Sequence, residues 1–228
     1  MWSNSVDSIP RLLQFITHYV GKRPRDAGYS ETDLNAVPLP APLRSLYSYA
    51  GKWRLPSGGR LLARQNRLLP LEHIELSDGR FTFIEENQSC WRLGTDVKGR
   101  NPIVYSSDTS SLDWSATGIR LIECLRTFVL IEIMFGSNLW TSDSALPEDV
   151  SLLSACRHRA TTWRTLCPNV RMDQATRSWS FFLANDTILV AHERYDDDEY
   201  VYCSANKASG QKVLRRLAKD LNLDIFPR

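Results

Sequence analysis

The sequence predicts an α+β fold: a mostly antiparallel sheet with helices packed on one side, extended by a C-terminal three-strand meander and a last helix. Three stretches carry this expectation. Phe81 to Tyr105 is rich in residues that suit a pleated, half-buried surface, among them Phe81, Phe83, Trp91, Leu93, Ile103 and Val104. Within it, Thr95 to Pro102 is dense in turn formers, so the stretch reads as strands meeting at a turn. Ile119 to Phe135 is apolar around nearly its whole circumference, the pattern of a buried helix. Near the C-terminus, Trp179 to Leu183, Thr187 to Arg194 and Glu199 to Ser204 read as three strands separated by turns at Asn185-Asp186 and Asp196 to Asp198.

The remaining elements follow in order. Ile9, Leu12, Leu13, Phe15, Ile16, Tyr19 and Val20 recur at helical spacing, with Ser8 as N-cap, Pro10 in the first turn and Gly21 as the stop. A basic loop, Gly21 to Gly28, leads to a capping-box start at Ser30 and a helix that Pro38 and Pro40 keep short. Leu43, Leu46, Tyr47 and Ala50 form the apolar face of a further helix closed by Gly51, and Gly58-Gly59 is a turn. On the buried helix, Glu123 and Arg126 are three apart and can pair. Trp140 to Pro147 reads as a polar loop, Glu148 to Leu166 as a helix broken at Cys167-Pro168-Asn169, and Val213, Leu214, Leu217, Ala218 and Leu221 as the face of a terminal amphipathic helix. Two units are expected: residues 1–136, and residues 137–228 docked on the same core.

Composition sets limits. At 228 residues, 43% hydrophobic and 24% charged, the chain is long enough for a sizeable core. A net charge of +2 gives no ground for a nucleic-acid or membrane partner. The five cysteines are odd in number and lack C-x-x-C spacing, which fits reduced thiols in a cytoplasmic protein. No positively charged N-terminus precedes an apolar run, so no secretory signal is expected. Thr127 to Phe135, the most apolar window, contains Glu132 and is too short to span a bilayer.

A family resemblance enters through a series of short motifs. Leu39-Pro40-Ala41-Pro42-Leu43 leading to Tyr47, Tyr49 and Gly51 resembles the start of the SUKH superfamily pattern. Leu69-Pro70-Leu71-Glu72-His73-Ile74, the strand Phe81 to Ile84, Cys90-Trp91-Arg92-Leu93-Gly94, and Pro102-Ile103-Val104-Tyr105 follow in the family's order. Trp114 and the helix to Phe135 complete the pattern, which covers Ser30 to Gly136 and leaves everything after residue 140 unmatched. Asn87-Gln88 falls between two matching strands, where members vary. The resemblance implies a protein that acts by contact. Bacterial members are commonly immunity proteins of polymorphic toxin systems, including contact-dependent inhibition. They bind a cognate secreted toxin, often a nuclease, and block it. Fungal members are linked to control of cell-wall synthesis through protein contacts, and they carry long flanks that this chain lacks.

Candidate sites are few. Asp196, Asp197, Asp198 and Glu199 form an acidic block at a hairpin tip, either a solvated turn or a surface for a basic partner; Glu85 and Glu86 are a second acidic pair, on opposite faces of a strand. Cys90 or Cys124 with His73 or His192 is a nucleophile–base pair on paper, but buried structural thiols are the simpler reading. Cys156, His158 and Cys167 match no zinc spacing. Arg157, Arg159, Trp163, Arg164, Arg171, Arg177 and Trp179 mix base and aromatic as nucleic-acid surfaces do, against the plainer alternative of a helix with its arginines in water. No catalytic residue, metal site or cofactor is assigned. The expected partner is a basic protein toxin, and the expected mode is binding rather than catalysis.

Overall fold

The computed structural model describes residues 5–74, 76–77, 79–109, 113–145, 151–170 and 177–227. Arg171 and the rest of 171–176 lie outside them. Helix α1 (Ile9–Val20) buries Ile9, Leu12, Phe15, Ile16 and Tyr19; Gly21 stops it at φ +125°, in the region that favours glycine. Ser8 has the extended backbone of an N-cap, but its side chain makes no capping hydrogen bond. Helix α2 (Glu31–Asn35) opens with a reciprocal capping box: the Asp33 N–H donates to Ser30 Oγ at 3.2 Å, and the Ser30 N–H donates to Asp33 Oδ2 at 3.1 Å. Helix α3 (Ala41–Ala50) starts after Pro40 and buries Leu43, Leu46 and Tyr47, whose hydroxyl donates to the Leu69 carbonyl at 2.7 Å.

The first sheet comprises β1 (Asn66–Leu68), β2 (Leu76–Ser77), β3 (Arg80–Glu86), β4 (Trp91–Asp96), β5 (Ile103–Asp108) and β6 (Ser115–Arg120). Its order is β1-β3-β4-β5-β6, with β2 also on β3, and every pairing is antiparallel. The Phe81 to Tyr105 stretch is thus three strands, with Thr95 and Asp96 inside β4 rather than in the turn. Gly94 on β4 lies under the Trp114 ring: a Cβ there would meet Trp114 Cη2 at 2.7 Å.

Helix α4 (Leu121–Phe135) is buried almost all round, as its composition requires. Ile119 and Arg120, expected in this helix, instead end β6. Arg126 does not pair with Glu123; its Nη2 donates to Cys167 Sγ at 2.6 Å, and its Nη1 reaches the Asp7 carbonyl at 3.5 Å. Glu132 is fully buried, and its carboxylate accepts the backbone N–H groups of Arg64, of Gln65 at 3.1 Å and of Asn66 at 2.7 Å. Burial pushes its carboxyl up to about 8 even against these three donors.

The second sheet comprises β7 (Leu139–Ala145), β8 (Trp163–Val170), β9 (Ser178–Ala184), β10 (Ile188–Tyr195), β11 (Asp198–Ala205) and β12 (Phe226–Pro227), in the order β12-β7-β11-β10-β9-β8. Helix α5 (Ser151–Arg159) and helix α6 (Ala208–Leu221) accompany it. Three expectations are corrected here. The polar loop at Trp140 to Pro147 is strand β7 as far as Ala145. Its composition conceals an alternation that only β11 reveals: Leu139 and Thr141 point to one buried face, and Trp140 to the other. Of the helix expected at Glu148 to Leu166, residues 148–150 lie outside the described residues, Ser151–Arg159 is α5, and Trp163 to Val170 is β8. Pro168 and Asn169 (φ +45°) sit within β8 because it is an edge strand with register shifts, where a missing N–H costs no ladder bond. Finally, the meander belongs to a second sheet with helices on both faces, not to an extension of the first with helices on one side.

The two sheets meet on α4. One apolar cluster runs from α1, α3 and the first sheet through α4 to Leu166, Cys167, Phe181, Leu183 and Leu189 of the second sheet. A smaller cluster packs Leu152 and Cys156 of α5, and Leu214 and Leu217 of α6, on the other face of the second sheet.

The Glu132 carboxyl yields a pH-dependent stability with a definite sign. Between about 4.5 and about 8 the folded state holds a proton that the unfolded state has lost. Stability measured by chemical denaturation therefore falls as pH rises through that window and is flat above it. In Glu132→Gln this component disappears, and pH profiles that run parallel for the two proteins would contradict it. Glu132→Ala removes the acceptor shared by three backbone donors, of which that of Asn66 is buried, and lowers stability by about 1–3 kcal/mol.

Candidate functional site

The two sheets diverge at one end of α4 and leave a cleft of about 310 Å³. Its floor is Ile131 and Phe135 of α4. Gln65, Asn66, Glu86, Gln88, Cys90 and Trp91 line the first-sheet side, and Arg177, Trp179, Glu193 and Tyr202 line the second-sheet side. Local structure explains each position. The Glu132 carboxylate holds the backbone that carries Gln65 and Asn66. Glu86 Oε2 accepts from the Gln88 N–H at 2.8 Å and the Cys90 N–H at 3.3 Å, which tightens the β3–β4 hairpin that presents Trp91. Trp179, Glu193 and Tyr202 come from three adjacent strands: Glu193 pairs in register with Trp179 on β9, and Tyr202 lies on β11.

The second-sheet wall is an aromatic platform with a carboxylate in it. Trp179 and Tyr202 stack with centroids 5.7 Å apart, and Phe135 meets Tyr202 edge-on at 5.5 Å. Glu193 is only 5% exposed. It accepts the Tyr202 hydroxyl at 3.0 Å and pairs with Arg177 Nε at 3.3 Å. Arg177 is half exposed, and its guanidinium also lies 4.8 Å over the Tyr195 ring. Burial and the Glu193 charge together push the Tyr202 phenol well above its ordinary range, so it remains a donor.

The residues named from sequence fall in several places. Asp196 and Asp197 form the two-residue connection of the β10–β11 hairpin, Asp196 at φ +52°, and with Asp198 they are exposed. Glu199 is tied down: His192 Nε2 lies 2.8 Å from its Oε2, and Arg194 Nε 3.0 Å from its Oε1. Glu85 pairs with Arg67 at 2.9 Å and accepts from Ser89, on the face away from the cleft that Glu86 lines. Of the arginines of 157–179, Arg157 and Arg159 are exposed on α5, and three have acidic partners. Arg159 pairs with Asp220, Arg164 with Asp186 and Arg177 with Glu193. Cys156, His158 and Cys167 do not converge, and no group of three or more metal-ligating side chains does so among the described residues. Cys156 Sγ instead lies 3.4 Å from Cys203 Sγ. Burial pushes the Cys167 and Cys203 thiols up, away from nucleophilic use. Of the cysteine–histidine candidates, Cys124 is buried on α4, Cys90 is exposed on its hairpin, His73 is exposed in the turn before β2, and His192 is engaged by Glu199.

No protein-family model, curated protein or solved structure matches this chain. Among the described residues, no helix is long and apolar enough to cross a membrane.

Sequence reasoning did not single out Glu193, Tyr202 or Trp91 as site residues. One signal was available: Glu193 is a charged residue inside a strand that is otherwise buried from Ile188 to His192. A carboxylate in that position needs partners, and the partners mark a site. The Tyr202 hydroxyl bond to this carboxylate is worth about 1.5–3 kcal/mol. Tyr202→Phe is therefore expected to lower the unfolding free energy by that amount, read as a lower denaturation midpoint at an unchanged m-value.

Proposed function

We propose that the protein works by contact: in the SUKH manner it binds a cognate toxin domain of basic surface, of the nuclease class, and neutralises it in the cytoplasm of the cell that makes it. The observation that carries this reading is the exposed run Asp196-Asp197-Asp198 at the tip of the β10–β11 hairpin. Glu199 at its base is fixed by His192 and Arg194, so the tip is displayed on a braced element. Such a surface complements a basic active site and steers association. The resemblance over Ser30 to Gly136 supplies the toxin class. The internal pairing of Arg159, Arg164 and Arg177 removes the main support for a nucleic-acid surface.

The test begins by looking for a toxin domain encoded next to this gene, co-expresses it to score rescue of growth, and continues with binding kinetics on the purified pair. Replacing Asp196, Asp197 and Asp198 with lysine is expected to lower the association rate about tenfold or more at low salt and to flatten its salt dependence. Glu199 is left intact because it braces the hairpin. An association rate and salt slope untouched by this change eliminate the hairpin as the contact, and failure of the domain to bind the unaltered protein eliminates the immunity reading.

A further inference from the structure

The inter-sheet cleft has a chemistry of its own, distinct from the acidic hairpin. We propose that it receives an arginine side chain carried by the protein partner, an inference that rests on the contact reading above. Three observations point to a guanidinium. The walls are planar aromatics from opposite sheets, Trp91 on one side and the stacked Trp179 and Tyr202 on the other. A flat, weakly hydrated cation stacks on such faces better than a compact ammonium does. The Asp, Glu, Lys and Arg side chains lining the cleft are Glu86, Glu193 and Arg177, which leaves one negative charge in excess when the carboxylates are ionised. The fold already satisfies Glu193 with a guanidinium: Arg177 occupies the carboxylate from a half-exposed position, so an incoming arginine can join or displace it without opening the core.

Size and placement narrow the occupant. About 310 Å³ is at the small end of ligand pockets and suits one long side chain rather than a nucleotide-sized cofactor. Glu193 and Asp196 are three residues apart, Glu193 on β10 and Asp196 in the turn that follows, roughly 10 Å at strand rise. One basic partner can therefore touch the hairpin tip and insert a side chain into the cleft together.

The experiment titrates the intact protein with N-acetyl-arginine amide, read by tryptophan fluorescence and by the indole N–H signals in NMR. N-acetyl-citrulline amide, the same shape without the charge, is the control. Saturable binding of the arginine compound is expected, at least about tenfold tighter than the citrulline compound. Glu193→Gln and, separately, Trp91→Leu are expected to weaken it at least about tenfold, with circular dichroism verifying the fold; Trp91 is half-buried, so this second variant serves if the first does not fold. Equal affinity for the two compounds, absence of binding, or binding unchanged in a folded variant overturns the proposal. A response to agmatine but not to the blocked arginine overturns its assignment to a protein side chain. The lysine variants of Asp196 to Asp198 lie outside the cleft and keep arginine binding. Loss of arginine binding with intact toxin capture therefore removes only the cleft, whereas arginine binding without toxin capture removes the contact reading.

Discussion

Burial of α4 between the two sheets is the constraint on which the structure depends. The helix cannot present a wet face, because Leu121, Leu125, Phe128, Val129, Leu130, Ile133 and Met134 leave it none. Each such side chain stabilises the fold by about 1.5–3 kcal/mol only when it is fully covered. The first sheet with α1 and α3 covers one part of it, and β8 and β11 cover another. Glu132 is the exception that the arrangement must accommodate. Its carboxylate closes off three backbone donors at Arg64, Gln65 and Asn66, so a polar group inside the core fixes the segment that enters β1. The same segment forms part of the cleft rim, which ties the geometry of the candidate site to the core.

Charge is distributed with a similar economy. Three of the arginines that cluster in the sequence between 157 and 177 have acidic partners elsewhere in the chain: Arg159 pairs with Asp220, Arg164 with Asp186 and Arg177 with Glu193. The acidic block divides. Glu199 is held by its own hairpin, while Asp196, Asp197 and Asp198 face water. The exposed tip of the β10–β11 hairpin is therefore acidic, although the chain as a whole is slightly basic.

Elements were legible where their own residues repeat strongly. The helices at Ile9, Ser30, Pro40 and Val213, the buried helix ending at Phe135 and the strands around Phe81, Trp179, Leu189 and Val201 all follow from local periodicity and caps. β7 and β8 were not legible. β7 is Trp-Thr-Ser-Asp in composition and becomes a strand by pairing with β11 and β12, and β8 contains a proline that only an edge position tolerates. Apolar spacing near Cys156 and Trp163 suited one helix, but the chain turns between them. Of the candidate site, the acidic hairpin could be read directly, Glu86 was named without its surroundings, and Glu193 was hidden inside an apolar strand.

By itself the sequence determined the fold class, the buried character of α4 and the acidic turn, since each is a property of side chains close together in one chain segment. Tertiary structure alone decided that there are two sheets rather than one extended sheet, and that Trp91 faces Trp179 and Tyr202 across a cleft. The physical reason is that local periodicity tells which face of an element must be covered but not what covers it. Here both coverings are imposed by a helix that is apolar around nearly its whole circumference, and the cleft lies where they part, over Ile131 and Phe135.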